Sequence, residues 1–201
     1  MGLPGTIDND LNYTDYTIGF DTAVNTVLDA ISKIRDTSSA HDRTTVIEVM
    51  GRHCGDIALY AGLAGGAECV LIPEEPVDVN AVIRKIIEGS NRGKLHSIII
   101  KAEGTEPSSE ELVKKIEHLT GKETRLVVLS YLQRGGSPSL RDRLLATMCA
   151  AKAVELLKED SPSKAIGTSE GKVTAYDLSE ALDFPKEVDK EMFDLIDVLS
   201  R

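Results

Sequence analysis

Four short apolar runs rich in β-branched residues, most of them followed by a segment with helical periodicity, constrain this chain more than any other feature. The runs are "TTVIEVM" from Thr44, "CVLIP" from Cys69, "HSIIIKAEG" from His96 and "TRLVVLS" from Thr124. Each is the length of a strand, with no polar face spelled out by alternation, as expected for strands buried on both sides. Between and around them lie segments whose apolar residues recur every three or four positions. The first, about Gly19 to Asp36, carries Ala23, Val24, Val27, Leu28, Ile31 and Ile34 on one face. The others are "DIALYAGLAGGA", "VNAVIRKIIEGSNRG" closed by Gly93, "SSEELVKKIEHLTG" and the long "SLRDRLLATMCAAKAVELLKED". Ser108 and Glu111 have capping-box spacing, and Gly121 stands where a left-handed helix end needs a glycine. Strands alternating with helices predict a mostly parallel sheet between two helical layers, a three-layer α/β/α sandwich.

Beyond Ser161 the rhythm changes. "KAIGTSEGKVTAYDL" predicts two short strands about a Glu-Gly turn, and Val188 to Leu199 an acidic amphipathic helix. There is no fixed-period repeat and no low-complexity linker, so composition marks no domain boundary.

The formal net charge of -10, from 33 acidic against 23 basic residues, argues against broad binding to nucleic acid or an anionic membrane. Any anion bound would have to be held locally. Cys54, Cys69 and Cys149 are odd in number and unpaired in spacing, which predicts neither disulfides nor a zinc site. No cationic stretch followed by an apolar run reads as a signal peptide, and no apolar run is long enough to span a bilayer. The expectation is a soluble, cytoplasmic protein.

In open α/β sheets ligands gather outside the carboxyl ends of the strands. The first predicted strand ends in Met50-Gly51-Arg52-His53, the third in Glu103-Gly104, and the fourth runs into Tyr131-Leu132-Gln133-Arg134-Gly135-Gly136. Arg52 and Arg134 would point to one rim, and two guanidinium groups make a fork for a phosphate, with glycines admitting close backbone approach. Read singly, each is an ordinary solvated charge, and Glu103 would serve a sugar hydroxyl or cap the next helix. "PGTIDND", from Pro4, is equally double. Asp8, Asn9 and Asp10 are turn formers or caps on one reading; on the other, one carboxylate takes a proton from a hydroxyl nucleophile while its neighbour positions a metal ion. His41, His53, His96 and His118 lack metal-ligand spacing.

"PGTIDND", "DYTIGFDTA", "RDTSSAHDR", "EVMGRHCGD", "GGAE", "GKLHSIII" and "LQRGGSPS" occur in the order and spacing of bacterial 6-phosphofructokinases, and the chain resembles that family over essentially its whole length. The resemblance implies a phosphofructokinase-like fold and transfer of the ATP γ-phosphate to the 1-hydroxyl of fructose 6-phosphate. It implies that Asp8 is the general base, with Thr6 beside the transferring group, Asp10 near a Mg2+ ion, and Arg52 stabilising transition-state charge. Met50, Gly51, Arg52 and Glu103 would hold the sugar and the reaction centre. Arg134 would grip the 6-phosphate, and Arg43 and Arg125 would reach that phosphate from a neighbouring subunit of a homotetramer. A second set matches an effector site for ADP, GDP or phosphoenolpyruvate: Arg35, Gly66, Ala67, Glu68, Arg92, Lys94, Leu95 and His96, with Glu68 near the effector's magnesium.

Two positions depart from the family pattern. Tyr131 stands where a His is usual before "QRGG", which passes a substrate contact to a phenol or removes it. Gly5 stands where pyrophosphate-dependent relatives usually have Lys, which favours ATP as donor. No "GGDAPGMN"-type nucleotide loop occurs in the 201 residues. The expectation is therefore a piece of the enzyme, inactive alone: a fructose 6-phosphate and effector lobe at 20–132 plus 185–201, and parts of an ATP lobe at 1–19 and 133–184. A non-catalytic sugar-phosphate or effector-binding module and a pyrophosphate-dependent enzyme are the alternatives.

Overall fold

The computed structural model describes residues 1–161 and 163–200. The chain forms two compact units: one comprises 24–133 and 188–201, the other 1–23 and 134–187.

The larger unit is built on four parallel strands, β1 (Thr44–Val49), β2 (Cys69–Leu71), β3 (Ser97–Ala102) and β4 (Thr124–Val128), in the order β2-β3-β1-β4. Along β1 the register runs Thr44↔Ser97 to Val49↔Ala102 on one side and Thr44↔Thr124 to Glu48↔Val128 on the other. The two central strands thus start and finish level. Every residue of β3 is buried, including Lys101. The "SIII" run carries no alternation because neither side of that strand meets water.

Both faces are filled by helices. Val46, Leu71 and Ile99 pack with Val82 and Ile86 of α3 (Val79–Asn91) and Leu112 and Ile116 of α4 (Ser109–Thr120). On the other face α2 (Asp56–Gly65) lies so close to the sheet that a Cβ on Gly62 would stand 2.2 Å from the Val70 side chain. Two further helices belong here. The body of α1 (Phe20–Ala40) meets α2 where Gly65 abuts Ile31, and α7 (Lys190–Leu199) packs on α2 and β2. The expected α/β/α layering is what this unit adopts. Of the capping signals, the Ser108 half of the box forms, its Oγ accepting the Glu111 N–H at 3.3 Å, and Gly121 takes a φ of 69°.

The smaller unit holds a hairpin, β5 (Lys164–Ser169) and β6 (Lys172–Asp177), turned by Glu170 and Gly171 at φ 51° and 75°. The opening residues join it, with Gly2 N–H donating to Lys164 O at 2.7 Å and Ile166 N–H to Gly2 O at 2.9 Å. The long α5 (Leu140–Lys158) packs Leu145, Cys149, Ala153 and Leu156 against Ile166. Its Asp142 carboxylate is buried, and it accepts the N–H groups of Gly19 at 2.8 Å and Thr22 at 2.9 Å. A side chain from one helix thereby supplies partners that the first turn of another lacks.

Some boundaries differ from the sequence reading. Helix α1 extends to Ala40 rather than Asp36, and α7 begins at Lys190 rather than Val188. A single helical turn, α6 (Leu178–Leu182), and a 3-10 turn at Ser130–Arg134 were not anticipated, because elements of five residues carry too few positions to show a period.

Ile99 is fully buried between α3 and α4, so Ile99→Ala is expected to cost about 2–5 kcal/mol. Urea denaturation checks this.

Candidate functional site

At the carboxyl edge of the larger unit's sheet, the loop Met50–Gly55 between β1 and α2 turns back on itself. Gly51 has a φ of 144° and its carbonyl accepts the Cys54 N–H at 2.8 Å; a Cβ there would sit 2.3 Å from Cys54 O. Arg52 takes a φ of 54°, a left-handed conformation uncommon outside glycine and asparagine, and its side chain is exposed. The Arg52 N–H donates to Glu103 Oε1 at 3.0 Å, while Glu103 N–H donates to Val49 O at 2.9 Å. Gly104 follows, and a Cβ on it would come within 2.0 Å of Arg52 O. The ends of β1 and β3 are thus fitted together through backbone, and any side chain at 104 would have to displace the Arg52 carbonyl.

Met50, Gly51, Arg52 and Glu103 therefore do converge, as the sequence led one to expect. Two residues without an assigned role also enter. Gln133, buried to 1% exposure, accepts the Met50 N–H on its Oε1 at 3.2 Å and donates from Nε2 to Ser130 O at 3.2 Å. Glu74, just past β2, accepts the Gly55 N–H at 2.7 Å. Tyr131, by contrast, is 76% exposed.

Arg43 and Arg125 lie at the opposite, amino edge, beside the first residues of β1 and β4. Six residues of strand separate the two edges, roughly 20 Å. One carboxylate, Glu123, holds both arginines: Arg43 Nε donates to its Oε2 at 2.7 Å and Arg125 Nη2 to its Oε1. The hydrogen bond from Arg43 is the main cause that holds the Glu123 carboxyl below its usual range, with both guanidinium charges adding to it. The two cations are prearranged as a pair, a feature sequence spacing could not reveal.

A third cluster gathers at the amino edge as well, where Glu68 directly precedes β2 and His96 directly precedes β3. Arg35, from α1, donates to the carbonyls of Gly65 and Gly66 (3.2 Å to the latter) at the end of α2. Glu68 is buried; its Oε1 meets Lys94 Nζ at 2.6 Å and its Oε2 accepts the Ile98 N–H. His96 Nδ1 is 2.8 Å from Ser39 Oγ, and burial pushes its pKa down, with Arg35 and Lys94 adding to the effect and Glu68 opposing it. Arg92 caps α3 through its backbone, and Leu95 is exposed. Arg35, Gly66, Ala67, Glu68, Lys94 and His96 thus form one positively edged patch. Each Glu68 oxygen has one partner here, and a carboxylate has about four lone-pair sites, so acceptor capacity for a cation remains on it.

In the smaller unit, Asp8 is buried, and its N–H donates to Thr6 Oγ1 at 3.2 Å. Asn9 has a φ of 56° and accepts the Thr17 N–H on its side chain at 2.9 Å, which fixes the turn between two aspartates. Asp10 is exposed. Arg134, at the end of the 3-10 turn, is also exposed. Among the described residues no group of three or more His, Cys, Asp or Glu side chains is arranged for a metal. A single exposed carboxylate is nevertheless the usual protein share of a Mg2+ site completed by water and phosphate, and Asp10 fits it.

The sequence profile described as Phosphofructokinase matches residues 1–157. The chain belongs to the phosphofructokinase family. It is 57% identical, over all 201 residues, to the ATP-dependent 6-phosphofructokinase of Clostridium acetobutylicum, and covers 63% of that protein. The chain thus spans somewhat under two thirds of the length of the curated relatives it matches. The solved phosphofructokinase of Saccharomyces cerevisiae is similar at a TM-score of 0.86 and 33% identity, over 97% of this chain and 26% of that one. The pyrophosphate-dependent phosphofructokinase of Marinobacter aquaeolei is similar at 0.82 and 25%, over 94% and 54%.

Two measurements check the site's architecture. Gly104→Ala is expected to cost about 1–3 kcal/mol, because the added methyl forces the Arg52 carbonyl away, and to move the Arg52 amide resonance. Glu123 has a lowered carboxyl pKa, so its contribution to stability is present above the unfolded value near 4.5 and is lost as pH falls through the folded value. The stability gap between wild type and Glu123→Gln should therefore be wider at pH 7 than at about pH 3 in denaturant titrations.

Proposed function

We propose that the chain is the sugar-phosphate- and effector-binding portion, with part of the nucleotide-binding portion, of a cytoplasmic ATP-dependent 6-phosphofructokinase. The observation that carries this reading is the 57% identity running through all 201 residues to a protein of that name. The lobe boundaries proposed are 20–132 plus 185–201 for fructose 6-phosphate and effector, and 1–19 with 133–184 for the ATP side. Gly5 in place of a lysine supports ATP over pyrophosphate, as do the relatives named ATP-dependent at 52–57% identity against 25% for the pyrophosphate-dependent enzyme. Among the described residues no helix is long and apolar enough to cross a membrane.

In the reaction the 1-hydroxyl oxygen of fructose 6-phosphate attacks the γ-phosphorus of ATP. Its proton passes to the Asp8 carboxylate, the bond from phosphorus to the bridging oxygen breaks, and ADP leaves. The exposed Arg52 guanidinium, whose backbone is fixed by Glu103, faces the charge that grows on the phosphoryl oxygens, and Thr6 lies beside that group. Mg2+, when bound near Asp10, neutralises phosphate charge. Met50, Gly51 and Glu103 hold the sugar, Tyr131 takes the place of the usual histidine, and Arg134 grips the 6-phosphate.

The placement of Arg43 and Arg125 at the far edge of the sheet from Arg52 supports their serving the 6-phosphate of a neighbouring subunit, in a homotetramer. The cluster of Arg35, Gly66, Ala67, Glu68, Arg92, Lys94, Leu95 and His96 would take a nucleoside diphosphate or phosphoenolpyruvate, drawn by local charge despite the acidic chain. Glu68 would hold Lys94 there and lie near the effector's magnesium.

Asp8→Asn in the full-length enzyme is expected to lower kcat by about 10²–10⁴-fold with the KM for fructose 6-phosphate little changed. Retained turnover would remove Asp8 as the base. Mixing Asp8→Asn and Arg43→Ala subunits should restore part of the activity that each lacks alone, since some sites then join an intact Asp8 to an intact Arg43. Steady-state kinetics on mixed tetramers checks this.

A further inference from the structure

The loop Met50–Gly55 is held by acceptors from every other strand of its sheet. Gln133, five residues past the last pairing residue of β4, takes the Met50 N–H; Glu103, next after β3, takes the Arg52 N–H; Glu74, shortly after β2, takes the Gly55 N–H. Three separate side chains thus fix the first, third and sixth residues of one six-residue loop, and the loop's own Gly51–Cys54 bond closes the middle. Glu103 belongs to the proposed sugar site. Glu74 and Gln133 do not.

We infer that Glu74 and Gln133 are positioning residues, which set the backbone of the Met50–Gly55 loop so that Met50 and Arg52 meet the sugar phosphate in register. This inference rests on the phosphofructokinase reading. Glu74 supports it by its setting: Oε1 bonds Gly55 N–H at 2.7 Å, while Oε2 is buried and makes no hydrogen bond among the described residues. A carboxylate kept there loses hydration on one oxygen without replacement, which a residue serving stability alone would avoid. The left-handed Arg52 gives the loop a second need of support, since strained backbone persists only where its surroundings over-determine it. Gln133 is almost fully buried, and bonds Met50 with its oxygen and Ser130 with its nitrogen, so one amide joins the loop after β1 to the turn after β4. That turn ends at Arg134.

The test is steady-state kinetics of the full-length enzyme with fructose 6-phosphate and ATP varied separately, alongside hydrogen exchange of the Gly55 amide. Glu74→Ala is expected to raise the KM for fructose 6-phosphate about tenfold, leave the KM for ATP within about twofold, and speed Gly55 exchange. Glu74→Gln, which still offers an oxygen to Gly55, should restore both values, and Gln133→Ala should raise the same KM. If Glu74→Ala does not fold, Glu74→Met keeps the side chain's length without its acceptor and is compared with Glu74→Gln in its place. An unchanged sugar-phosphate KM, equal rises for both substrates, or a Gln variant no better than the Ala variant would each overturn the inference. Wild-type protein lacking phosphofructokinase activity would instead overturn the functional reading on which it rests.

Discussion

The level pairing of β1 with β3 is the constraint on which the larger unit depends. Because these strands run parallel, start together and end together, the residues that follow them, Met50 and Glu103, leave the sheet side by side. With both faces covered, a slip would pull the strand's side chains out of the helices packed on them, so packing on the faces fixes position at the edge. The backbone contacts between Arg52, Glu103 and Gly104 follow from that register. The same sheet sends Arg43 and Arg125 to the other edge, where Glu123 binds both, so one rigid slab carries two charged ends that cannot serve a single pocket.

An acidic chain with the proposed function must concentrate its positive charge. Here the cations are grouped, and in two groups a carboxylate sits among them: Glu123 between Arg43 and Arg125, and Glu68 beside Lys94. These carboxylates hold the cations in place and limit their mutual repulsion. The acidic partner is therefore part of how a cationic cluster is held together.

The four parallel strands, the helices between them and the terminal hairpin were legible in the sequence, since each is long enough for burial to impose a period or an unbroken apolar run. The convergence of Met50, Gly51, Arg52 and Glu103 was legible too, because parallel strands present their carboxyl ends together. Glu74 escaped notice, although it follows β2 much as Glu103 follows β3; position after a strand could have singled it out. Gln133 was visible only as part of "QRGG". Glu123 gave no signal, since its role comes from Arg43, 80 positions away.

By itself the sequence determined the α/β class, the family, and which residues carry the charge and the glycines, because these depend on local period and motif. The tertiary structure decided what those residues touch: that Arg43 and Arg125 share one carboxylate, that both Glu68 oxygens are engaged, and that three side chains from separate strands hold one loop. Such pairings join residues distant along the chain, and only the register of the packed sheet brings them within hydrogen-bonding reach.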